Sequence, residues 1–213
     1  MSMDDPAERL RERARAGDAD AFRALFDSYA KAVYNHAFRL IGDWSAAEDV
    51  MAQTFLEAWR SREQIAADGG SLRPWLLGIA TNLTRGYRRA SRRQVATRLR
   101  LGPAPDTPDF SDEVAGRLDD ASRIAALHRS LSRLRPDEFE VLALYAWSGL
   151  CYAEVAEALG VPVGTVRSRL SRARAKLLKA AERELRKSSR ELTTRVDQLM
   201  DGTAPADPPF KEA

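Results

Sequence analysis

The residues of this 213-residue sequence best suited to chemistry are arginines, and they occur in two blocks that contain no carboxylate. From residue 73 to residue 100 eight arginines give a charge of +8, and from residue 163 to residue 181 four arginines and two lysines give +6. Unbalanced positive charge on a helix repels itself and favours an anionic partner such as nucleic-acid phosphate. The blocks predict two nucleic-acid-binding surfaces, and the alternative is a pair of solvated charged faces.

The first block also carries groups that can hold a nucleic-acid base. Trp75, Asn82 and Tyr87 are interleaved with its arginines. Aromatic rings stack on unstacked bases, and side-chain amides form hydrogen bonds with their edges. This block can therefore accept a base as well as phosphates, unless Trp75 and Tyr87 are simply core residues.

Catalytic and metal-binding groups are scarce. The sequence has two histidines, His36 and His128, and one cysteine, Cys151. They lie too far apart in sequence for metal-ligand spacing, and one cysteine cannot form an internal disulfide. No convergent acidic, histidine or phosphate-loop constellation indicates an active site. We predict no catalytic residue, no metal and no cofactor.

The composition is that of a folded protein without a membrane span. The net charge is +3, and 44% of the residues are hydrophobic against 31% that are charged. No apolar run approaches the ~18 residues of a membrane span, and residues 1–15 are charged throughout, without a signal-peptide core. We expect a cytoplasmic protein of one large domain or two small ones.

Helical periodicity without strand alternation predicts an all-α fold. Asp18 is expected to cap a core helix that ends at Gly42. Ser45 and Glu48 form a capping box that opens a second helix to about residue 62. A third helix is expected to begin at Pro74 and to carry the first basic block.

An acidic, proline-rich stretch separates the two basic blocks. Residues 102–120 carry six carboxylates, one arginine and three prolines, for a charge of −5. Such composition predicts an extended, flexible linker between two small helical domains.

The second block lies in a predicted helix-turn-helix. Residues 152–159 form a two-turn helix, Gly160, Val161 and Pro162 a tight turn, and Gly164 opens a long basic helix. Near the start of that helix, where side chains reach base edges in the major groove, lie Thr165, Arg167, Ser168, Arg169 and Arg172.

Leucines recur every seven residues beyond the second block, at Leu178, Leu185, Leu192 and Leu199. The long helix is therefore expected to continue to about Met200, before residues 201–213 with Gly202 and three prolines end it. The stripe either packs on its own domain, docks on an inhibitor protein or folds back between the two domains.

Three ordered motifs resemble bacterial sigma factors of the extracytoplasmic-function group, in the sigma-70 family. They are AEDVMAQTFLEAWR at 47–60, LRPWLLGIATNL at 72–83 and VGTVRSRLSRAR at 163–174. The resemblance implies sigma region 2 at 19–100, a linker at 101–120, region 4 at 121–182 and an extension at 183–213.

The resemblance also implies sites and partners. Asp49, Gln53, Leu56 and Glu57 match the face that docks on the clamp coiled coil of the largest RNA polymerase subunit. On spacing alone, Asp49, Gln53 and Glu57 share one polar stripe with Arg60, and a stripe of mixed charge is usually a solvated helix face. Region 4 would contact the polymerase flap. The loop 66–73 with Arg73, Trp75, Asn82, Arg85, Arg88 and Arg89 matches the part that captures a flipped base of the minus-10 promoter element. Thr165, Arg167, Ser168, Arg169 and Arg172 match the readers of the minus-35 element.

The implied function is a promoter-specificity subunit that performs no catalysis. Its partners would be core RNA polymerase, promoter DNA and an anti-sigma factor. Two alternatives are a stand-alone helix-turn-helix regulator, which leaves the first basic block unexplained, and a DNA recombinase or nuclease, for which no active-site constellation is present.

Overall fold

The computed structural model describes residues 6–66, 70–101, 131 and 133–200, and all the regular structure in these residues is helical. This confirms the all-α class. The helices are α1 (Pro6–Arg15), α2 (Ala19–Ile41), α3 (Trp44–Arg60), α4 (Arg73–Leu101), α5 (Pro136–Leu142), α6 (Tyr152–Leu159) and α7 (Val163–Met200). A short 3-10 helix (Arg62–Gln64) follows α3, and a π-helical segment (Ala143–Trp147) continues α5.

Helix ends in the first half follow local chemistry. The Asp18 carboxylate accepts the backbone N–H groups of Asp20 and Ala21, and Gly42 ends α2 in the left-handed conformation, as predicted. The predicted capping box of Ser45 and Glu48 is wrong. Instead the Asp43 carboxylate accepts the N–H of Ala46 at 2.8 Å, so α3 begins at Trp44.

The start of α4 also differs slightly from the prediction. Ser71 Oγ accepts the N–H of Arg73 at 3.1 Å, so the helix begins one residue before Pro74. The proline is then the second helical residue, where its missing N–H leaves no hydrogen bond unmade.

The helix-turn-helix is confirmed. Helix α6 has the predicted bounds, and Gly160 ends it with φ 62° in the left-handed region. Helix α7 begins at Val163 and continues to Met200, as the leucine repeat predicted. Leu178 and Leu185 are 65% and 69% exposed, so these two leucines do not pack on their own domain.

The first half of the chain (residues 6–101) and the second half (residues 131–200) share one hydrophobic core, which the sequence pattern did not predict. Val33, Leu76 and Leu77 from α2 and α4 are completely buried in the same cluster as Val141 and Val155 from α5 and α6. A smaller cluster of Ala14, Ala21, Leu25, Ile65 and Leu72 joins α1 to α2 and to the start of α4. The two halves therefore pack directly on each other.

Some predictions lie outside the described residues. These are the acidic linker apart from Leu101, which is the last residue of α4, residues 121–130 of the predicted region 4, and the end at 201–213.

Candidate nucleic-acid interfaces

Helix α3 presents its predicted docking stripe to solvent. Asp49, Gln53, Leu56 and Glu57 are all exposed, and their spacing of four, three and one residues places them on one helix face. Leu56 is 57% exposed, and Glu57 lies 3.9 Å from Arg60 in a surface ion pair. This mixture of carboxylate, amide and exposed leucine is suited to a protein partner rather than to DNA.

The minus-10 candidates on α4 divide into two environments. Trp75 is partly buried and packs against both hydrophobic clusters, so it contributes to the core, as the alternative interpretation of this residue predicted. Asn82 is exposed at the rim of a cavity of about 440 Å³, which Trp75, Glu57 and Gln64 also line. Glu157 and Ala158 of α6 close the other side of this cavity.

Arg11 holds both ends of the loop before α4. Its side chain is 4% exposed. Nη1 donates to the carbonyl of Ala66 at 3.0 Å, and Nε and Nη2 donate to that of Gly70 at 3.2 and 2.9 Å. Nothing in the sequence pattern predicts this role, because a carbonyl acceptor leaves no signature in residue type or spacing.

Arg85 is bound to a buried carboxylate of the other half of the chain. Its Nε lies 3.0 and 3.1 Å from the two Glu140 oxygens, and its Nη2 lies 2.6 Å from Oε2. Nη1 donates to Asn82 Oδ1 at 2.9 Å. Glu140 is 3% exposed, and its hydrogen bond raises the pKa of Arg85 above the ordinary value.

Arginines from both basic blocks meet at one cleft. Arg85, Arg88 and Arg89 of α4 line a cavity of about 450 Å³ together with Arg169 of α7 and Asp137. The sequence predicted two separate surfaces, and in this packing the two surfaces face the same space.

The minus-35 candidates on α7 are of two kinds. Arg167 and Ser168 are exposed, and Ser168 Oγ donates to the carbonyl of Thr165 at 3.0 Å. Arg169 Nε lies 3.2 Å from Asp137, and its side chain is only 20% exposed. Arg172 Nε lies 3.6 Å from Glu138.

Glu138 anchors α7 to α5. It is 1% exposed, accepts Lys176 Nζ at 2.6 Å and accepts the N–H of Arg135 at 2.9 Å. Burial raises the pKa of Glu138, but the hydrogen bonds from Lys176 and Arg135 and the charge of Arg172 bring it below the ordinary value. A glutamate after a helix-opening proline is expected in solvent, so the sequence did not indicate this role.

His36 is completely buried between the two halves. Its Nε2 lies 2.8 Å from Thr81 Oγ1 of α4, and its Nδ1 lies 3.5 Å from Ser148 Oγ of the second half. Burial, with the nearby charge of Arg39, lowers the pKa of His36 to about 4. The residue is therefore neutral at physiological pH.

Within the described residues there is no group of three or more His, Cys, Asp or Glu side chains able to hold a metal ion. In that same part of the chain, none of the helices combines the length and the apolar character that a membrane crossing requires.

Comparisons with known proteins give a consistent result. The family models "Sigma-70 region 2" and "Sigma-70, region 4" match residues 25–94 and 124–177. The chain is 32% identical over 159 residues to the ECF RNA polymerase sigma factor BldN of Streptomyces coelicolor, covering 75% of this chain but only 60% of BldN. It is 34% identical over 163 residues to the ECF RNA polymerase sigma factor SigL of Mycobacterium tuberculosis, covering 74% of this chain and 86% of SigL.

Solved structures agree. CnrH in complex with the cytosolic domain of CnrY superposes with a TM-score of 0.60 at 26% identity, over 84% of this chain and 98% of CnrH. The sigma factor RpoE in complex with the anti-sigma factor NepR from Bartonella quintana gives a TM-score of 0.56 at 25% identity, over 76% and 96%.

Proposed function

This chain belongs to the sigma-70 family of RNA polymerase sigma factors, in the extracytoplasmic-function group, and from that we propose that it binds core RNA polymerase, directs it to specific promoters and helps to melt the minus-10 element. One observation carries the proposal. The first half of the chain carries an exposed docking stripe on α3 and an arginine-rich helix, α4. The second half carries a helix-turn-helix whose second helix, α7, exposes Arg167 and Ser168.

We assign the polymerase and minus-10 functions to residues 19–100 and the minus-35 function to residues 121–182, ranges that contain the stretches matched by the family models. Residues 101–120 are the connecting linker and residues 183–213 an extension. The chain itself performs no catalysis in this proposal, because the polymerase makes the RNA.

Polymerase binding is assigned to the stripe on α3. Asp49 and Glu57 supply negative charge, Gln53 supplies an amide, and Leu56 supplies exposed apolar surface. An interface with an apolar centre and a polar surround is the usual arrangement between proteins. The partner proposed is the clamp coiled coil of the largest subunit, with the flap as the contact of region 4.

Minus-10 capture is assigned to α4 and the loop before it. Asn82 and Trp75 line a cavity in which a base can be held. Arg85, Arg88 and Arg89 line the cleft with Arg169, and together with Arg73 at the start of α4 they supply positive charge for the phosphates. Extruding a base costs a few kcal/mol, which stacking and phosphate contacts can offset without ATP.

Minus-35 reading is assigned to the start of α7. Arg167 and Ser168 are exposed and can reach base edges directly, with Thr165 beside them. Arg169 and Arg172 lie against the carboxylates of Asp137 and Glu138. These two must exchange a carboxylate for a DNA acceptor when they bind, or they orient the recognition helix from its side.

A regulatory partner is also part of the proposal. CnrH and RpoE, to which this fold is similar, were solved with CnrY and with the anti-sigma factor NepR. We propose that an anti-sigma factor binds this chain as well. The stand-alone regulator is not favoured, because it gives no role to the module that matches region 2.

A gel shift on promoter DNA, with and without core polymerase, tests the function. We expect a sequence-specific complex with the polymerase present and none of comparable strength with the chain alone. Tight sequence-specific binding by the isolated chain would instead favour the stand-alone regulator.

A further inference from the structure

The cavity assigned to the minus-10 base is bordered by two consecutive segments of the chain. The first segment, α3 with the 3-10 helix after it, contributes Glu57 and Gln64 to the lining of this space of about 440 Å³. The second segment, α4, contributes Trp75 and Asn82. The width of the cavity therefore depends on how the end of the first segment is held against the start of the second.

Arg11 of α1 ties these two segments together. Its Nη1 donates to the carbonyl of Ala66, two residues after the 3-10 helix, at 3.0 Å. Its Nε and Nη2 donate to the carbonyl of Gly70, three residues before α4, at 3.2 and 2.9 Å. Nη2 also lies 3.4 Å from the carbonyl oxygen of Ser71. One planar guanidinium thus fixes the spacing between backbone groups that belong to the ends of both segments.

Burial keeps the Arg11 side chain at this junction. The residue is 4% exposed, and one turn further along α1 the completely buried Ala14 lies in one cluster with Ile65 and Leu72. Each of the last two is next in sequence to a residue whose carbonyl Arg11 contacts. A guanidinium taken out of water is costly unless it is hydrogen-bonded. Apolar packing therefore brings α1 to the junction, and the guanidinium sets the geometry there.

A second contact supports the start of α4. The Tyr29 hydroxyl of α2 lies 3.0 Å from Ser71 Oγ, and the same oxygen accepts the backbone N–H of Arg73 at 3.1 Å. Ser71 is therefore held from α1 through its carbonyl and from α2 through its hydroxyl. Because Arg73 is the first residue of α4, the position of Ser71 affects where that helix begins and hence where Asn82 lies.

We infer that Arg11 is a positioning residue for minus-10 recognition, which acts by fixing the width of the base cavity, and that Tyr29 supports it. The inference rests on the proposed function. It gives α1 a part in promoter selection, although α1 lies before the stretch 25–94 that the region 2 model matches. Lysine cannot take this role, because an ammonium is a compact point charge, whereas the guanidinium presents its donors in a rigid fork.

The matched variants Arg11→Lys and Arg13→Lys test the inference in the full-length protein bound to core polymerase. Both keep the positive charge on α1, but Arg13 is 54% exposed and forms an ion pair with Asp18 instead. The templates carry one promoter that the wild type uses, with the bases of its minus-10 element randomised and a barcode in the transcribed region. Sequencing of the RNA gives the enrichment of each base at each position.

Selectivity, rather than yield, is the readout that distinguishes positioning from stability. We expect the wild type to favour the best base at its most selective minus-10 position by about tenfold or more, the usual discrimination for one base pair, and Arg11→Lys to favour it by less than about threefold. In a cavity of altered width, correct and incorrect bases meet Asn82 in similarly poor geometry. A variant that was merely less stable would give fewer transcripts from every template and leave the enrichment unchanged.

Polymerase binding is the second readout. Arg11→Lys should co-purify with core polymerase as the wild type does, because the exposed stripe on α3 is untouched, and Arg13→Lys should match the wild type in both measurements. An Arg11→Lys variant with the wild-type enrichment overturns the inference. Equal loss of enrichment in Arg13→Lys also overturns it, and so does loss of polymerase binding by Arg11→Lys.

Tyr29→Phe decides the matter should circular dichroism show that Arg11→Lys has lost helix. This change removes the hydroxyl that contacts Ser71 and leaves no buried charge without its partners. We expect a fall in the same enrichment, smaller than the one expected for Arg11→Lys. Enrichment equal to that of the wild type would overturn the inference.

The wild type separates this inference from the proposed function. A wild-type chain that selects bases at the minus-10 element, together with variants that select them equally well, refutes the positioning role and leaves the function intact. A wild-type chain that starts no promoter-specific transcription refutes the function, and the inference with it.

Discussion

Arg85 of α4 and Glu140 of α5 form an ion pair between the two halves of the chain. Arg85 Nη2 lies 2.6 Å from Glu140 Oε2, and Arg85 Nε lies within 3.1 Å of both carboxylate oxygens. The glutamate is almost fully buried, whereas the arginine side chain is 34% exposed. The two partners therefore have unequal consequences when they are removed.

Removing the arginine should cost stability. Arg85→Ala leaves the Glu140 carboxylate buried without its partner, and we expect the free energy of unfolding to fall by about 2–3 kcal/mol. The double variant Arg85→Met with Glu140→Leu should lose much less, because no unpaired charge remains. Urea unfolding measures both, and a double variant as unstable as Arg85→Ala would show that the ion pair is not the cause.

The free energy of unfolding should depend on pH through the protonation of His36. Its pKa is about 4 in the folded chain against 6.5 unfolded, so the unfolded state takes up a proton first as the pH falls. The contribution of neutral His36 is complete above pH 6.5 and is lost between 6.5 and about 4, to a total of about 3 kcal/mol. Replacing His36 with Gln should make the free energy of unfolding less dependent on pH between about 4 and 6.5. A variant with the same slope as the wild type would contradict a buried neutral histidine.

Several helix ends could be predicted from sequence because they depend on local chemistry. Asp18, Gly42 and the bounds of α6 follow from capping and turn preferences within a few residues. Ser45 failed as a cap because Asp43, two residues earlier, is an equally good cap and reaches Ala46 first.

The contacts between the two halves of the chain could not be predicted in the same way. Arg85 and Glu140 lie 55 positions apart, and each looks like an ordinary surface charge in its own helix. Gly78 looks like a weak point in a helix until Ala158 is placed against it. Such contacts depend on how two elements pack, and neither residue type nor helical periodicity encodes that packing.

Reversing charge on the α3 stripe should prevent polymerase binding. Asp49→Arg combined with Gln53→Ala replaces a carboxylate and an amide on the proposed interface, and a reversed charge there opposes the partner surface. Co-purification with core polymerase should be lost, while Asp27→Arg, an exposed reversal on α2, should leave it unchanged. If the double variant co-purifies with core polymerase as well as the wild type does, the stripe is not the polymerase-binding surface.

Arg167→Ala should weaken binding of the polymerase complex to the promoter without affecting binding of the chain to core polymerase. Loss of one bidentate base contact costs about 1–3 kcal/mol, or roughly ten- to hundredfold in promoter affinity. Lys179→Ala, which removes an exposed charge farther along the same helix, should have a smaller effect that is alike on all promoters. If Arg167→Ala instead abolishes polymerase binding, the residue belongs to a protein interface.

Asn82→Ala should impair promoter melting specifically. The variant is expected to form few open complexes on duplex promoter and to recover partly on a template already mismatched at the minus-10 element, because the cost of unpairing is then absent. Permanganate footprinting measures the open region. Equal defects on both templates would exclude base capture by Asn82.

Promoter selection by the reconstituted polymerase tests the central claim most directly. Core polymerase is incubated with genomic DNA of the source bacterium, with and without the chain, and the 5′ ends of the transcripts are mapped. We predict a set of new start sites that share two upstream sequence elements and that disappear with Arg167→Ala or with Asp49→Arg combined with Gln53→Ala. Identical 5′ ends with and without the chain would contradict its action as a sigma factor.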